Sequence, residues 1–107
     1  MSFQHLSCTE LKNWLDQANR PVTLVDIRDP QSFVTGHIPG AILIDNSNVQ
    51  KFIEESNHSD ALVVCCYHGN SSQSAADFFS QNGFKECYSL DGGYEAWRQL
   101  FELQTTQ

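Results

Sequence analysis

The segment Cys65-Cys66-Tyr67-His68-Gly69-Asn70-Ser71-Ser72 gathers thiols, an imidazole, hydroxyls and a glycine into one short stretch. It follows the apolar run Ala61-Leu62-Val63-Val64 and precedes a helix-forming sequence, so it should join the carboxyl end of a strand to the amino end of a helix. A thiol placed there lies near unpaired helix amides and the positive end of the helix dipole. Both favour the thiolate, which is the nucleophilic form. Gly69 and Asn70 tolerate positive φ, so the loop can curl until several backbone N–H groups converge as an anion-binding nest. From Ala61 to Ala76 there is no Asp, Glu, Lys or Arg. With a screening length of about 8 Å at physiological salt, local amides can outweigh charges farther off, and a small dianion can bind.

Of the two adjacent cysteines, Cys65 completes the strand and should point into a packed face, whereas Cys66 begins the loop and is the expected nucleophile. The alternative is that both are small buried hydrophobes, a common fate of free cysteine. His68 either supports a Cys66 thiolate or faces solvent without a partner. Tyr67, Ser71 and Ser72 are candidate donors to a bound anion, and equally candidates for helix caps or surface polar groups. A redox role through a Cys65–Cys66 disulfide is disfavoured, because neighbouring residues must distort the backbone to pair. Cys8 and Cys87 are expected to be passive. The four cysteines show no C-x-x-C spacing, which argues against a zinc site and for reduced thiols.

The elements that must position this loop follow from capping and periodicity. Ser7-Cys8-Thr9-Glu10 reads as a capping box, with Leu11, Trp14 and Leu15 on one face of the helix that follows. Val22 to Ile27 is an apolar run of strand length, and Asp29-Pro30 pairs an N-cap with a proline at the first helical position, predicting a short helix to about Thr35 closed by Gly36. Ala41 to Ile44 is the next strand. Asn46 or Ser47 should cap a helix carrying Val49, Phe52 and Ile53. After the strand Ala61 to Cys65, a helix is expected from Ser74 to Asn82 with Ala75, Phe78 and Phe79 inward, and Gly83 taking a left-handed exit. Cys87 to Leu90 is a strand. Asp91-Gly92-Gly93 then turns the chain into a last helix bearing Tyr94, Trp97 and Phe101, and the tail from Gln104 should fray. Strands and helices alternate, and the strands are continuous apolar runs, which is the mark of an α/β fold with a parallel sheet covered on both faces.

The chain has 107 residues, 40% hydrophobic and 18% charged, with seven Phe, three Tyr and two Trp, enough to fill one core without disulfide staples. Six Lys and Arg against thirteen Asp and Glu leave a net charge of −7, which argues against nucleic acid or an acidic membrane surface as partner. No apolar run approaches the roughly 18 residues needed to span a bilayer. The start, Met1-Ser2-Phe3-Gln4-His5, shows no secretory pattern, and a cytoplasmic location is expected.

Val25-Asp26-Ile27-Arg28-Asp29-Pro30-Gln31-Ser32-Phe33, followed by Gly36-His37-Ile38-Pro39-Gly40-Ala41, resembles the amino-terminal signature of the rhodanese family, and Asp91-Gly92-Gly93-Tyr94-Glu95-Ala96-Trp97 resembles its carboxyl-terminal one. The loop from Cys66 to Ser72 is similar to that of the family's small single-domain sulfurtransferases. The resemblance covers nearly the whole chain and implies one domain over 1–107, with a central, mostly parallel five-stranded sheet and helices on both faces. It implies that the sulfane sulfur of thiosulfate passes to cyanide or a thiol acceptor through a persulfide on Cys66, cradled by Tyr67, His68, Gly69, Asn70, Ser71 and Ser72. Cyanide is the implied assay acceptor, and a dithiol protein such as thioredoxin the cellular one. No metal or organic cofactor is required. Many relatives carry a basic side chain in this loop where Tyr67 or Ser71 stands here, so weak thiosulfate affinity is expected, with amide and hydroxyl donors in place of an Arg fork.

Outside the loop, Asp26, Arg28 and His37 should hold a turn by hydrogen bonds, Gly92 and Gly93 should supply a tight turn, and Trp97 should pack in the core. Two other readings compete. A phosphatase or arsenate reductase would need an Arg clamp that Ser71 and Ser72 do not provide. A non-enzymatic binding module would have no need to retain Cys66 in a glycine-bearing loop.

Overall fold

The computed structural model describes residues 3–18 and 20–102. Five strands, β1 (Gln4–Leu6), β2 (Val22–Asp26), β3 (Ile42–Leu43), β4 (Ala61–Cys65) and β5 (Cys87–Leu90), form one parallel sheet in the order β1-β5-β4-β2-β3. Between and after them run α1 (Cys8–Gln17), α2 (Pro30–Thr35), α3 (Val49–Glu55), α4 (Ser71–Gln81) and α5 (Gly93–Trp97). The last continues into a π-helical segment, Arg98–Glu102.

Alternation along the central strands sorts side chains into two apolar layers. Leu24, Val63, Cys65 and Leu90 pack with Cys8 and Leu11 of α1 and Tyr94 and Trp97 of α5. On the opposite face Val25, Leu62, Val64 and Cys87 meet Ile53 of α3 and Ala76 and Phe79 of α4. Every residue of β4 and β5 is buried, as continuous apolar runs in a doubly covered sheet require. From β2 the chain moves outward to β3, and from β4 it moves the other way to β5. The sheet therefore has its switch point at the carboxyl ends of β2 and β4, where open α/β sheets form their ligand crevices.

Most expected boundaries agree. Ser7 caps α1 by accepting the Glu10 N–H at 3.1 Å, and Asp29 caps α2 with Pro30 at its start. Four expectations need correction. β1 escaped the strand pattern because an edge strand buries little: Gln4 and His5 are exposed and only Leu6 is buried. The cap of α3 is Asn48, not Asn46 or Ser47. Asp45 accepts the Ser47 N–H at 2.8 Å and its hydroxyl at 2.5 Å, forming a turn before the helix starts. α4 begins at Ser71, three residues before the expected Ser74, and its buried stripe is Ser72, Ala76 and Phe79. That register turns Phe78 outward, 45% exposed. The tail from Gln104 lies outside the described residues.

Candidate active site

The strand period decides the fate of the two thiols. Cys65, on the α1 and α5 side of the sheet, is fully buried in the apolar layer. Burial there, reinforced by the nearby Asp26 carboxylate, pushes its thiol well above the ordinary cysteine range. Cys66 follows Leu62 and Val64 onto the α4 side and is also buried, 4% exposed, but belongs to neither apolar cluster. Its sulfur faces the start of α4. The Gly69 N–H donates to Sγ at 3.1 Å and the Ser72 N–H at 3.3 Å, while Ser72 Oγ lies 3.3 Å away. Burial pushes the Cys66 thiol up, but the Ser72 hydroxyl and the N–H groups of Ser72, Gly69 and His68 outweigh it. The net effect holds the thiol below its ordinary value.

The curl that aims these amides rests on close backbone packing. Gly69 is buried at φ +91°, and a Cβ there would lie 2.8 Å from Gly92 N and 3.2 Å from Leu90 O. On the other side, the first amides of α5 reach back to the loop: Tyr94 N–H donates to Cys66 O at 2.8 Å and Glu95 N–H to Tyr67 O at 3.1 Å. Gly93 makes that approach possible, since its Cβ would sit 2.4 Å from Cys66 O. Asn70, at the N-cap position of α4, makes no side-chain cap bond. The helix amino terminus is thereby left to the sulfur.

Next to the loop, Asp26 and Arg28 form a buried ion pair at 2.7 Å, and Arg28 also donates to Gly36 O at 2.7 Å. The guanidinium lies over the Tyr94 ring, 4.3 Å from its centroid. His37 bonds Phe33 O through Nδ1 at 2.7 Å and stacks on the Phe33 ring. These three residues thus hold a turn, as their sequence context suggests. An open cleft of about 660 Å³ lies between α2, the loop and α5, with Arg28, Ser32, Tyr67, His68, Tyr94 and Arg98 among its walls. It reaches Tyr67 and His68 but not Cys66.

Residues 7–100 match the family model for the rhodanese-like domain. The chain belongs to the rhodanese-like family. It is 57% identical over 83 residues to a thiosulfate sulfurtransferase GlpE of Pseudomonas aeruginosa, spanning 78% of this chain and 76% of that protein. A GlpE of Pseudoalteromonas translucida is 40% identical over 101 residues, 94% of each chain. Among solved structures, a rhodanese-like domain protein from Staphylococcus aureus superposes with a TM-score of 0.77 at 27% identity, over 89% of this chain and 91% of that one.

Within this rhodanese-like domain the loop residues separate into distinct roles. His68, Gly69 and Ser72 present donors to the sulfur, but the His68 side chain is exposed, so its backbone rather than its imidazole contributes. The Tyr67 hydroxyl turns away to α2, bonding Asp29 and lying 2.8 Å from Ser32 Oγ. Ser71 is exposed on the first turn of α4. Asn70 does not use its tolerance of positive φ, standing at φ −92°; Gly69 alone supplies the left-handed bend of the loop. Sequence reasoning missed Ser89. Its Oγ lies 2.7 Å from Ser72 Oγ, and both residues are fully buried. The available signal was a serine inside the doubly covered, otherwise apolar and aromatic strand Cys87-Tyr88-Ser89-Leu90.

Proposed function

We propose that this chain is a thiosulfate sulfurtransferase with Cys66 as its nucleophile and sulfur carrier. The Cys66 thiolate attacks the outer sulfur of thiosulfate; a new S–S bond forms, the S–S bond of thiosulfate breaks, and sulfite leaves with the bonding electron pair. The enzyme is left as a Cys66 persulfide. Cyanide, or the thiolate of a dithiol protein such as thioredoxin, then attacks the outer sulfur, and Cys66 departs as thiolate. The observation that carries this reading is the convergence of the Gly69 and Ser72 N–H groups on Cys66 Sγ at 3.1 and 3.3 Å, in a segment free of charged side chains. Those donors stabilise the attacking thiolate without prior reorganisation. The GlpE relatives are named for the same donor.

Tyr67, His68, Gly69, Asn70, Ser71 and Ser72 form the binding loop in this reading. No Arg or Lys stands in it, and the neighbouring Arg28 is committed to Asp26, so thiosulfate binds weakly through amides and hydroxyls. The four cysteines are free thiols, which suits the cytoplasm as the setting. No helix among the described residues is long and apolar enough to cross a membrane.

Intact mass after exposure to thiosulfate tests the assignment. The expected result is a gain of one sulfur atom, reversed by cyanide or dithiothreitol, retained in Cys65→Ser and lost with turnover in Cys66→Ser. Persistence of the adduct and of turnover in Cys66→Ser would overturn it, as would hydrolysis of an aryl phosphate in place of sulfur transfer.

A further inference from the structure

We infer that Ser89 is a positioning residue: its buried hydroxyl fixes the direction of a hydrogen-bond chain, Ser89 to Ser72 to Cys66 Sγ, so that the Ser72 proton points at the sulfur. The inference rests on Cys66 being the sulfur carrier. Ser89 stands on β5 opposite Val64 of β4 in the parallel register, two residues before Cys66, and so faces the first turn of α4. Its Oγ is 2.7 Å from Ser72 Oγ, which is 3.3 Å from Cys66 Sγ. Among the side-chain hydrogen bonds of the described residues, Ser72 Oγ pairs with Cys66 Sγ and Ser89 Oγ, and Ser89 Oγ pairs with Ser72 Oγ.

Counting protons along this chain gives it a polarity. If Cys66 is a thiol donating to Ser72, the Ser72 proton passes to Ser89 Oγ, and the Ser89 proton is left buried with no acceptor. Leaving such a donor unmet is costly. If Sγ carries no proton, Ser89 donates to Ser72, Ser72 donates to Sγ, and every hydroxyl proton is used. Sγ carries no proton in either working state, the resting thiolate or the inner sulfur of the persulfide. The Ser72–Ser89 pair is therefore matched to both, and mismatched to a thiol that donates its proton to Ser72.

The surroundings leave this pair an uncluttered influence. The titratable groups flanking the sulfur along the chain are the Cys65 thiol, on the opposite face of the sheet, and Tyr67 and His68, both exposed on the loop rim. Beyond the loop, Arg28 is paired with Asp26 and lies over the Tyr94 ring. Asp91, beyond β5, is half exposed and paired with His5 at 2.9 Å, while Glu95 on α5 is paired with Arg98. Nothing charged lies in the strand, loop and helix turn from Ala61 to Ala76.

The test reads the protonation of Cys66 rather than sulfur transfer, so it separates this inference from the proposed activity. The pH midpoint of Cys66 carboxamidomethylation, located by peptide mass and matched by thiolate ultraviolet absorbance, should rise by about one unit in Ser72→Ala and by about half a unit in Ser89→Ala. The double variant Ser72→Ala/Ser89→Ala should shift no further than Ser72→Ala alone, because Ser89 acts through Ser72. Ser89→Thr, which keeps the hydroxyl, should restore the midpoint and serves as a second folded reference. An unmoved midpoint in Ser89→Ala, or additive shifts in the double variant, would overturn the inference. Loss of thiosulfate turnover with an unmoved midpoint would likewise overturn it, by assigning Ser89 a purely structural role.

Discussion

Two loops leave the carboxyl ends of neighbouring parallel strands, and they treat their backbone amides in opposite ways. After β2, carboxylates take the donors: Asp26 accepts the Arg28 N–H at 2.9 Å and its guanidinium at 2.7 Å, and Asp29 accepts the Ser32 N–H at 3.0 Å. That loop is chemically closed. After β4, no carboxylate is within the segment, Asn70 leaves the helix terminus uncapped, and the free N–H groups turn to a sulfur. The difference teaches that a strand-to-helix turn at a switch point turns its amides toward a neighbouring group when no side chain caps the helix. Its neighbour, fully capped, serves as the buttress. Tyr67 links the two, since its hydroxyl bonds Asp29 of the closed loop from within the open one.

Breaking the closed loop should have the largest effect. Asp26→Asn leaves Arg28, 6% exposed, without its counter-charge, and the loss of a buried partner costs about 3–5 kcal/mol. Urea denaturation should show this as a lowered midpoint, while the rate of Cys66 persulfide formation per folded molecule changes much less. A stability change under about 1 kcal/mol would mean that the pair does not buttress the site.

Converting the open loop into a closed one sharpens the contrast. Asn70→Asp sets a negative charge at the start of α4, beside the amides that face Cys66, and raises the Cys66 thiol. Thiosulfate turnover should fall roughly tenfold, the equivalent of one pKa unit, while thermal stability holds or rises. Undiminished turnover would separate the reactivity of Cys66 from the absence of charge at the start of α4.

Cutting the link between the loops should have the smallest effect. The Tyr67 hydroxyl, with the Ser32 N–H and hydroxyl behind it, lowers the Asp29 carboxyl from its usual 3.8 to about 2. A carboxyl whose folded-state pKa is depressed lends stability above its unfolded value, and that stability is lost as pH falls from about 4 through about 2. In Tyr67→Phe the Asp29 carboxyl, followed by NMR titration, should move back toward 3.8, with little change in stability at neutral pH. An unmoved titration would remove Tyr67 as the connection.

Much of this arrangement is legible along the chain because it is local. Asp29-Pro30 and Ser7 mark helix starts through contacts spanning three residues. The run Ala61 to Cys65 marks a doubly covered strand by composition, and Gly69 and Gly83 mark left-handed bends because other residues meet steric cost there. Alternation also separates Cys65 from Cys66, since adjacent residues of a strand face opposite sides. The sequence misleads where a local signal is weak or ambiguous. Phe78 and Phe79 are equally apolar, and only the true start of α4 at Ser71 decides which one is buried.

By itself, then, the sequence determined the alternation of elements, the uncharged loop and the thiol that begins it, since each depends on residues within a few positions of one another. Only the tertiary structure decided that Ser89 stands behind Ser72, that the first amides of α5 clasp Cys66 O and Tyr67 O, and that Gln4 to Leu6 pair with β5 as an edge strand. These contacts join segments far apart in the chain. They are set by strand register and helix packing, where the partner is fixed by the whole sheet and leaves no periodic mark on either segment alone.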